Sequence, residues 1–292
     1  MLHIMTGLIV GFTYWKMGTA YADLQNKVFA LFQFVFVAPG VIVQTQPKFI
    51  ANRDVFESRE KKSMFYRWQV FCAGEILAEV PYLILCAFFY FVTFYWTAGF
   101  SSEAGIAGPV FLQMVFYEFL YTGMGQFIAA YAPNPVFAAM VLPLFISVLA
   151  TFAGIMIPYQ QLTAFWRYWL YWLDPFTYFM QGLITFPIWD AKVECRPHEY
   201  GYFDPPAGQT CGQYLQTFMT YASGYLNNPE AVANCEYCGL KKGSEYLYNL
   251  NIKRHIIGWQ GILITLLFII SSYSFVFLLL KLRSKGTKTA SS

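Results

Sequence analysis

Apolar and polar positions divide the chain into six long apolar stretches. A helix needs about 20 apolar residues to cross a bilayer core of about 30 Å. Residues 24–46, 70–96, 106–131, 135–157 and 256–280 meet that length, and the last holds no charged residue. Residues 2–15 are apolar but extend only roughly 21 Å at the helical rise. Two further segments lie between the fifth and sixth stretches. Residues 159–188 are aromatic but interrupted by Arg167, Asp174, Pro175 and Pro187, the pattern of a re-entrant helical hairpin at the membrane edge. Asp174 before Pro175 fits an N-cap followed by proline at the first helical position. Residues 189–251 are polar and carry Pro205-Pro206 and four cysteines. They predict a small extramembrane domain, of a size at which covalent staples are needed.

Composition sharpens this picture. Charged residues make up 12% and hydrophobic ones 57% of 292 residues, against about 25% charged in soluble domains. With a mean hydropathy of +0.43, a soluble single domain and a disordered chain are both excluded. The net charge of +3 matters less than where the basic residues fall. Lys48, Arg53, Arg59, Lys61, Lys62 and Arg67 crowd the loop after the second stretch, and Lys281, Arg283, Lys285 and Lys288 follow the last. Both segments are expected in the cytosol, with the acidic, cysteine-bearing domain opposite. No basic stripe of the nucleic-acid-binding type occurs. The 21% aromatic content has two accounts: lipid-facing bulk with interfacial belts, or an aromatic-lined cavity for apolar ligands.

The predicted fold class is all-α integral membrane, with six transmembrane helices, a cytosolic helix, a re-entrant hairpin and a small disulfide-bonded extracellular domain. In residues, 1–188 hold spans one to five with a cytosolic helix at about 48–67 and the hairpin at about 159–188. Residues 189–251 form the outer domain, 252–282 span six and 283–292 a cytosolic tail. The first stretch has a rival reading as a signal-peptide core cleaved near Ala20-Tyr21-Ala22. The absence of Lys or Arg before it and the Tyr14-Trp15-Lys16 flank favour a membrane helix, and its shortness an origin within a longer chain.

Candidate chemistry is sparse. Cys195, Cys211, Cys235 and Cys238 allow three pairings. A zinc site on Cys235-x-x-Cys238 competes, but on the oxidising side of a membrane two disulfides are expected. Cys72 and Cys86 read as core residues, and no N-glycosylation sequon occurs. Residues 56–68 mix charges with Phe56, Met64, Phe65, Tyr66 and Trp68, as in a membrane-surface helix or a docking helix for a cytosolic partner. Glu75 and Glu79 share a helical face and are expected to reach toward Lys61, Lys62 or Arg67. Glu118 lies mid-span, where it makes either a structural bond between helices or a transport site. Arg167 is expected to snorkel outward. With three His and no H-E-x-x-H, G-x-S-x-G or phosphate-loop motif, metalloprotease, hydrolase and ATP-binding roles are not expected of this chain.

The order of motifs resembles the second membrane half of fungal pleiotropic-drug-resistance transporters of the ATP-binding cassette G subfamily. The resemblance rests on Asp23-Leu24-Gln25-Asn26 and on Gln46-Pro47-x-Phe49-Ile50-x-x-Arg53-Asp54-x-Phe56-Glu57-x-Arg59-Glu60. It extends to Glu79-Val80-Pro81-Tyr82, to the run from Phe152 to Pro158, and to Asp174-Pro175-Phe176-Thr177-Tyr178. The outer-domain runs Phe203 to Gly212 and Gly224 to Pro229 are the most specific. The resemblance implies a permease half for hydrophobic drugs or lipids, working by alternating access in the plasma membrane with both termini cytosolic. It implies a coupling helix bearing Arg53, Glu57, Arg59 and Glu60, and a substrate wall of Gln33, Phe36, Val37, Gly40, Ser147 and Ala150. Ile155 would form an apolar plug, and the bridges would nest as Cys195 with Cys238 and Cys211 with Cys235. Partners implied are lipids, hydrophobic small molecules, the other transmembrane half and nucleotide-binding domains that hold ATP and Mg²⁺ outside this sequence. A non-transporting fragment or assembly subunit, and an ion-coupled carrier using Glu118, are the alternative functions.

Overall fold

The computed structural model describes residues 1–63 and 65–289, with side chains through Arg283. Met64 and the side chains of Lys285 and Lys288 lie outside the described residues. Among the described residues, five helical runs are long and apolar enough to cross a membrane. The first comprises α2 (Tyr21–Phe32) and α3 (Val37–Val55); the others are α4 (Trp68–Phe94), α5 (Ala104–Tyr131), α6 (Pro135–Phe152) and α11 (Ile256–Thr289). The sixth expected span, α1 (Leu2–Thr13), has 12 residues and falls short of a bilayer core at about 18 Å. It packs along α4, where Gly7 and Gly11 bring its backbone against Thr93 and Thr97.

The second run differs from expectation in extent. A 3₁₀ stretch (Gln33–Phe36) joins α2 to α3, and α3 passes into one wide π turn (Phe56–Glu60), making a continuous helical rod from Tyr21 to Glu60. Residues 48–60 thus continue the span, and the helix expected to reach 67 ends at Glu60. Pro47 removes one ladder N–H without ending the helix. The apolar face continues past it, with Phe49, Ile50 and Phe56 packed in one cluster with Phe71, Cys72, Ala129 and Ala130. Gln46 beside it donates to the Gly125 carbonyl at 3.0 Å.

At the centre is α5, packed by α11, α8 (Pro175–Ile188), α3 and α4. Its Tyr117 lies among Phe34, Phe176 and Phe179 and donates to the Val35 carbonyl at 2.9 Å. Gln113 donates to the Phe179 carbonyl and to Thr265, both at 3.1 Å, tying α5 to α8 and α11. At the end of α6, Gly154 has φ +82°, a left-handed conformation that side chains disfavour. A Cβ there would also stand 2.9 Å from the Tyr171 ring. Between α7 (Ala164–Leu173) and α8, Asp174 accepts from the Phe176 N–H at 2.8 Å with Pro175 at the first helical position, as its sequence context predicts. Exposed aromatics cover α7, and α8 is buried along most of its length. Arg167 lies over the rings of Tyr159 and Tyr168.

The outer domain holds a three-stranded antiparallel sheet in the order β1 (Gly201–Phe203), β3 (Cys235–Cys238), β2 (Tyr225–Leu226). It also contains α9 (Cys211–Tyr221), started by Thr210, whose side chain accepts from the Gln213 N–H, and α10 (Gly243–Asn249). Cys195 bonds Cys238 and Cys211 bonds Cys235, the nested pairing implied by the resemblance. Both sulfurs of Cys235-x-x-Cys238 are thereby taken by disulfides, which overturns the zinc reading. Among the described residues no group of His, Cys, Asp or Glu is arranged to hold a metal. Free Cys72 is buried and Cys86 half-buried.

Candidate functional site

The expected wall residues divide between two environments. Along the rod, Gln33, Phe36 and Gly40 are exposed, and the exposure continues at Val43 and Pro47. On α6, Met140, Leu144, Ser147 and Val148 form the matching exposed face. These spacings keep each set on one side of its helix, and the two helices pack together. The result is an exposed, mostly apolar strip with Gln33, Gln44 and Ser147 as polar positions; α4 and α11 also expose apolar faces. Gly40 also borders Leu2 of α1. Val37 and Ala150 do not join the strip. At 4% and 2% exposure they belong to the core with Ile42, Ile146 and Leu149, because each points to the inner side of its helix. Ile155 is likewise buried in that core.

The four expected coupling residues also separate. Arg53 is fully buried. Its Nη1 donates to the carbonyls of Ala129 at 2.6 Å and Ala132 at 2.9 Å, with Ala130 at 3.4 Å. These carbonyls end α5 and have no intrahelical donor. A guanidinium there satisfies them and complements the negative end of the helix dipole. Asp54 accepts from Arg53 Nε and Nη2. One turn on, Glu57 pairs with Arg283 of α11 at 3.0 Å, and Arg283 Nη1 reaches the Ala132 carbonyl at 3.4 Å. Arg53 and Glu57 therefore clamp the rod, α5 and α11 to one another from inside. Arg59 is exposed, and Glu60 is half-buried and accepts from the Tyr66 hydroxyl. That bond raises the Tyr66 phenol to about 12. Sequence reasoning missed the burial of Arg53, although its spacing from Phe49, Ile50 and Phe56 places it on their face.

Glu118 is fully buried and faces protein. His3 Nε2 lies 2.8 Å from its Oε1, and Tyr121 donates to its other oxygen. Its carboxylate thus joins α1 to α5, the structural bond between helices that was one of its two readings. His3, Gly7 and Gly11 form the buried face of α1, a spacing of four that identifies His3 as its partner in hindsight. Glu75 accepts from Asn52 at 2.9 Å, and Glu79 lies 3.8 Å from Lys48. Their partners come from the rod, which runs beside α4 because it does not end at Gln46.

Long apolar helices and a disulfide-bonded domain between the last two fit a protein embedded in a membrane. Residues 1–186 match the family described as ABC-2 type transporter, and the chain belongs to that family. It is 50% identical over 292 residues to ABC multidrug transporter G of Aspergillus fumigatus, covering 100% of this chain and 22% of that protein. To ABC multidrug transporter H of the same organism it is 48% identical over 291 residues, covering 99% and 20%. To Protein SNQ2 of Saccharomyces cerevisiae it is 33% identical over 254 residues, covering 87% and 17%. The chain spans about a fifth of the length of the curated relatives it matches.

Proposed function

We propose that this chain is the transmembrane half of an ATP-driven exporter of hydrophobic drugs or lipids that works by alternating access. The observation that carries the reading is the exposed apolar strip shared by the rod and α6, in which Phe36 is 51% exposed. Two adjacent helices leave it bare, and one of them runs on to the cytosolic side. The multidrug names of the relatives support a hydrophobic cargo. A surface with few polar anchors selects by apolar area and accepts many shapes. In this reading the other transmembrane half faces the strip, and α1 completes six spans. Residues 159–188 form the re-entrant hairpin, the termini are cytosolic and the outer domain lies outside the plasma membrane. Nucleotide-binding domains carrying ATP and Mg²⁺ dock on the cytosolic turn, where Arg59 and Lys62 are exposed, and Ile155 closes the exit.

The test is efflux of an apolar fluorescent dye by the complete transporter containing this chain. Phe36→Ala is expected to weaken dye binding about tenfold, a loss of about 1.4 kcal/mol, with ATP hydrolysis retained. Unchanged binding would remove the strip from the transport path. Absence of efflux from the unaltered transporter would support the idle-subunit reading.

A further inference from the structure

The outer domain is joined to the rod by charged contacts that neither the strip nor the cytosolic clamp uses. The rod begins with Ala20 in the N-cap position, and alanine has no side-chain acceptor for the open amides of a first helical turn. Glu199, 178 and 177 positions away from the residues it meets, supplies the acceptor. Its carboxylate receives the Tyr21 N–H at 3.3 Å, the Ala22 N–H at 3.0 Å and the Arg196 N–H at 2.8 Å. Arg196 in turn donates through Nη2 to both oxygens of Asp23, at 2.9 and 3.1 Å. Asp23 sits in the same first turn and accepts from the Ala20 N–H at 3.1 Å. A main-chain bond from the Glu194 N–H to the Thr19 carbonyl at 3.0 Å lies beside them. Arg196 directly follows Cys195, which the disulfide to Cys238 fixes to the sheet.

A helix that caps itself can tilt independently of a neighbouring domain. This one takes its cap and a charge partner from a cross-linked domain, so its first turn cannot shift without breaking five hydrogen bonds or carrying that domain with it. We infer that Arg196 and Glu199 are positioning residues that fix the outer end of the Tyr21–Glu60 rod to the outer domain, so that the two move as one body during export. The consequence for export rests on the function proposed above; the mechanical link does not.

The experiment is amide hydrogen exchange over residues 19–24 in the complete transporter in lipid nanodiscs, paired with dye efflux. Glu199→Ala and Arg196→Ala are each expected to speed exchange at Tyr21 and Ala22 at least about tenfold relative to α5 amides. Maximal efflux rate is expected to fall at least about threefold, with dye affinity and both disulfides unchanged. A role confined to folding would instead lower the amount of transporter and leave the rate per molecule intact, which overturns the inference. Unchanged exchange overturns it as well. If Glu199→Ala reduces the folded yield, Glu199→Gln decides, because it keeps an acceptor oxygen and the residue's size. Intermediate exchange and an intermediate rate support the link, and values of the unaltered protein for both overturn it. If the unaltered transporter moves no dye, the export reading fails while the exchange measurement still judges the link.

Discussion

The two ends of the Tyr21–Glu60 rod are held by opposite chemistry in opposite settings. At the Glu60 end a cation, Arg53, sits on the carbonyls that finish α5. At the outer end an anion, Glu199, sits on the amides that start α2. Each charge is opposite in sign to the helix terminus it meets. The difference is solvent. Arg53 is fully buried, whereas Arg196 is half exposed beside a nearly buried Asp23. Charged groups out of water are costly to leave unpaired, and those in contact with water are screened. The inner attachment is therefore expected to cost more to break than the outer one.

Replacing Arg53 should have the largest effect. Arg53→Met leaves at least two carbonyls without donors and is expected to cost about 3 kcal/mol or more, read as a fall in the thermal unfolding midpoint in detergent. A change as small as that of an exposed pair would break the contrast between the ends. Next comes removal of the Cys195–Cys238 bridge by a double alanine substitution, expected to cost the outer domain about 2–4 kcal/mol. Limited proteolysis should then cut within the outer domain while the helices stay intact. His3→Ala leaves Glu118 buried without its cation-capable partner, and a loss of about 2 kcal/mol is expected. Glu118→Gln, which keeps an acceptor for Tyr121, should cost less. Dye efflux that survives Glu118→Gln would also dismiss the ion-coupled alternative.

Acid should act on the outer end first. Partial burial alone would raise the Glu199 pKa, but the N–H groups of Arg196, Ala22 and Tyr21, with His198 adding positive charge, hold it below the usual range. The charged groups that meet it are Arg196 and His198 on its own turn, and Arg196 in turn pairs with Asp23 of the rod. A lowered carboxylate pKa contributes stability in full above the usual value of about 4.3 and loses it as pH falls through the lowered one. Exchange at Tyr21 and Ala22 should accordingly accelerate relative to α5 below about pH 4. The smallest effect belongs to Lys48→Ala: Lys48 is exposed and lies 3.8 Å from the half-buried Glu79, a pair expected to contribute under about 0.5 kcal/mol.

What the sequence made legible was local. Apolar run lengths located α4, α5 and α11, the Asp174-Pro175 step marked the start of α8, and cysteine usage anticipated two bridges. Three features escaped for one physical reason: their partners lie far along the chain. Arg53 meets Ala129 across 76 positions, His3 meets Glu118 across 115, and Arg196 meets Asp23 across 173. A basic residue in a basic loop reads as solvated until its helical face is counted against Phe49, Ile50 and Phe56. Pro47 misled in the other direction, since a proline is a reasonable place to end a helix unless its apolar face finds a second cluster beyond it. The division of the wall residues follows from the same limit, because motif position names a helix but not which of its sides is covered.

The unbroken run from Tyr21 to Glu60 is about 60 Å long at the helical rise, twice the depth of a bilayer core. Pivoted where Arg53 and Glu57 clamp it, such a length would work as a lever that carries the outer domain with it. A tilt of about 5° about that clamp sweeps Tyr21 through about 4 Å, most of one helical turn. The π turn at Phe56–Glu60 lies beside the pivot, and the 3₁₀ stretch at Gln33–Phe36 lies partway along the arm.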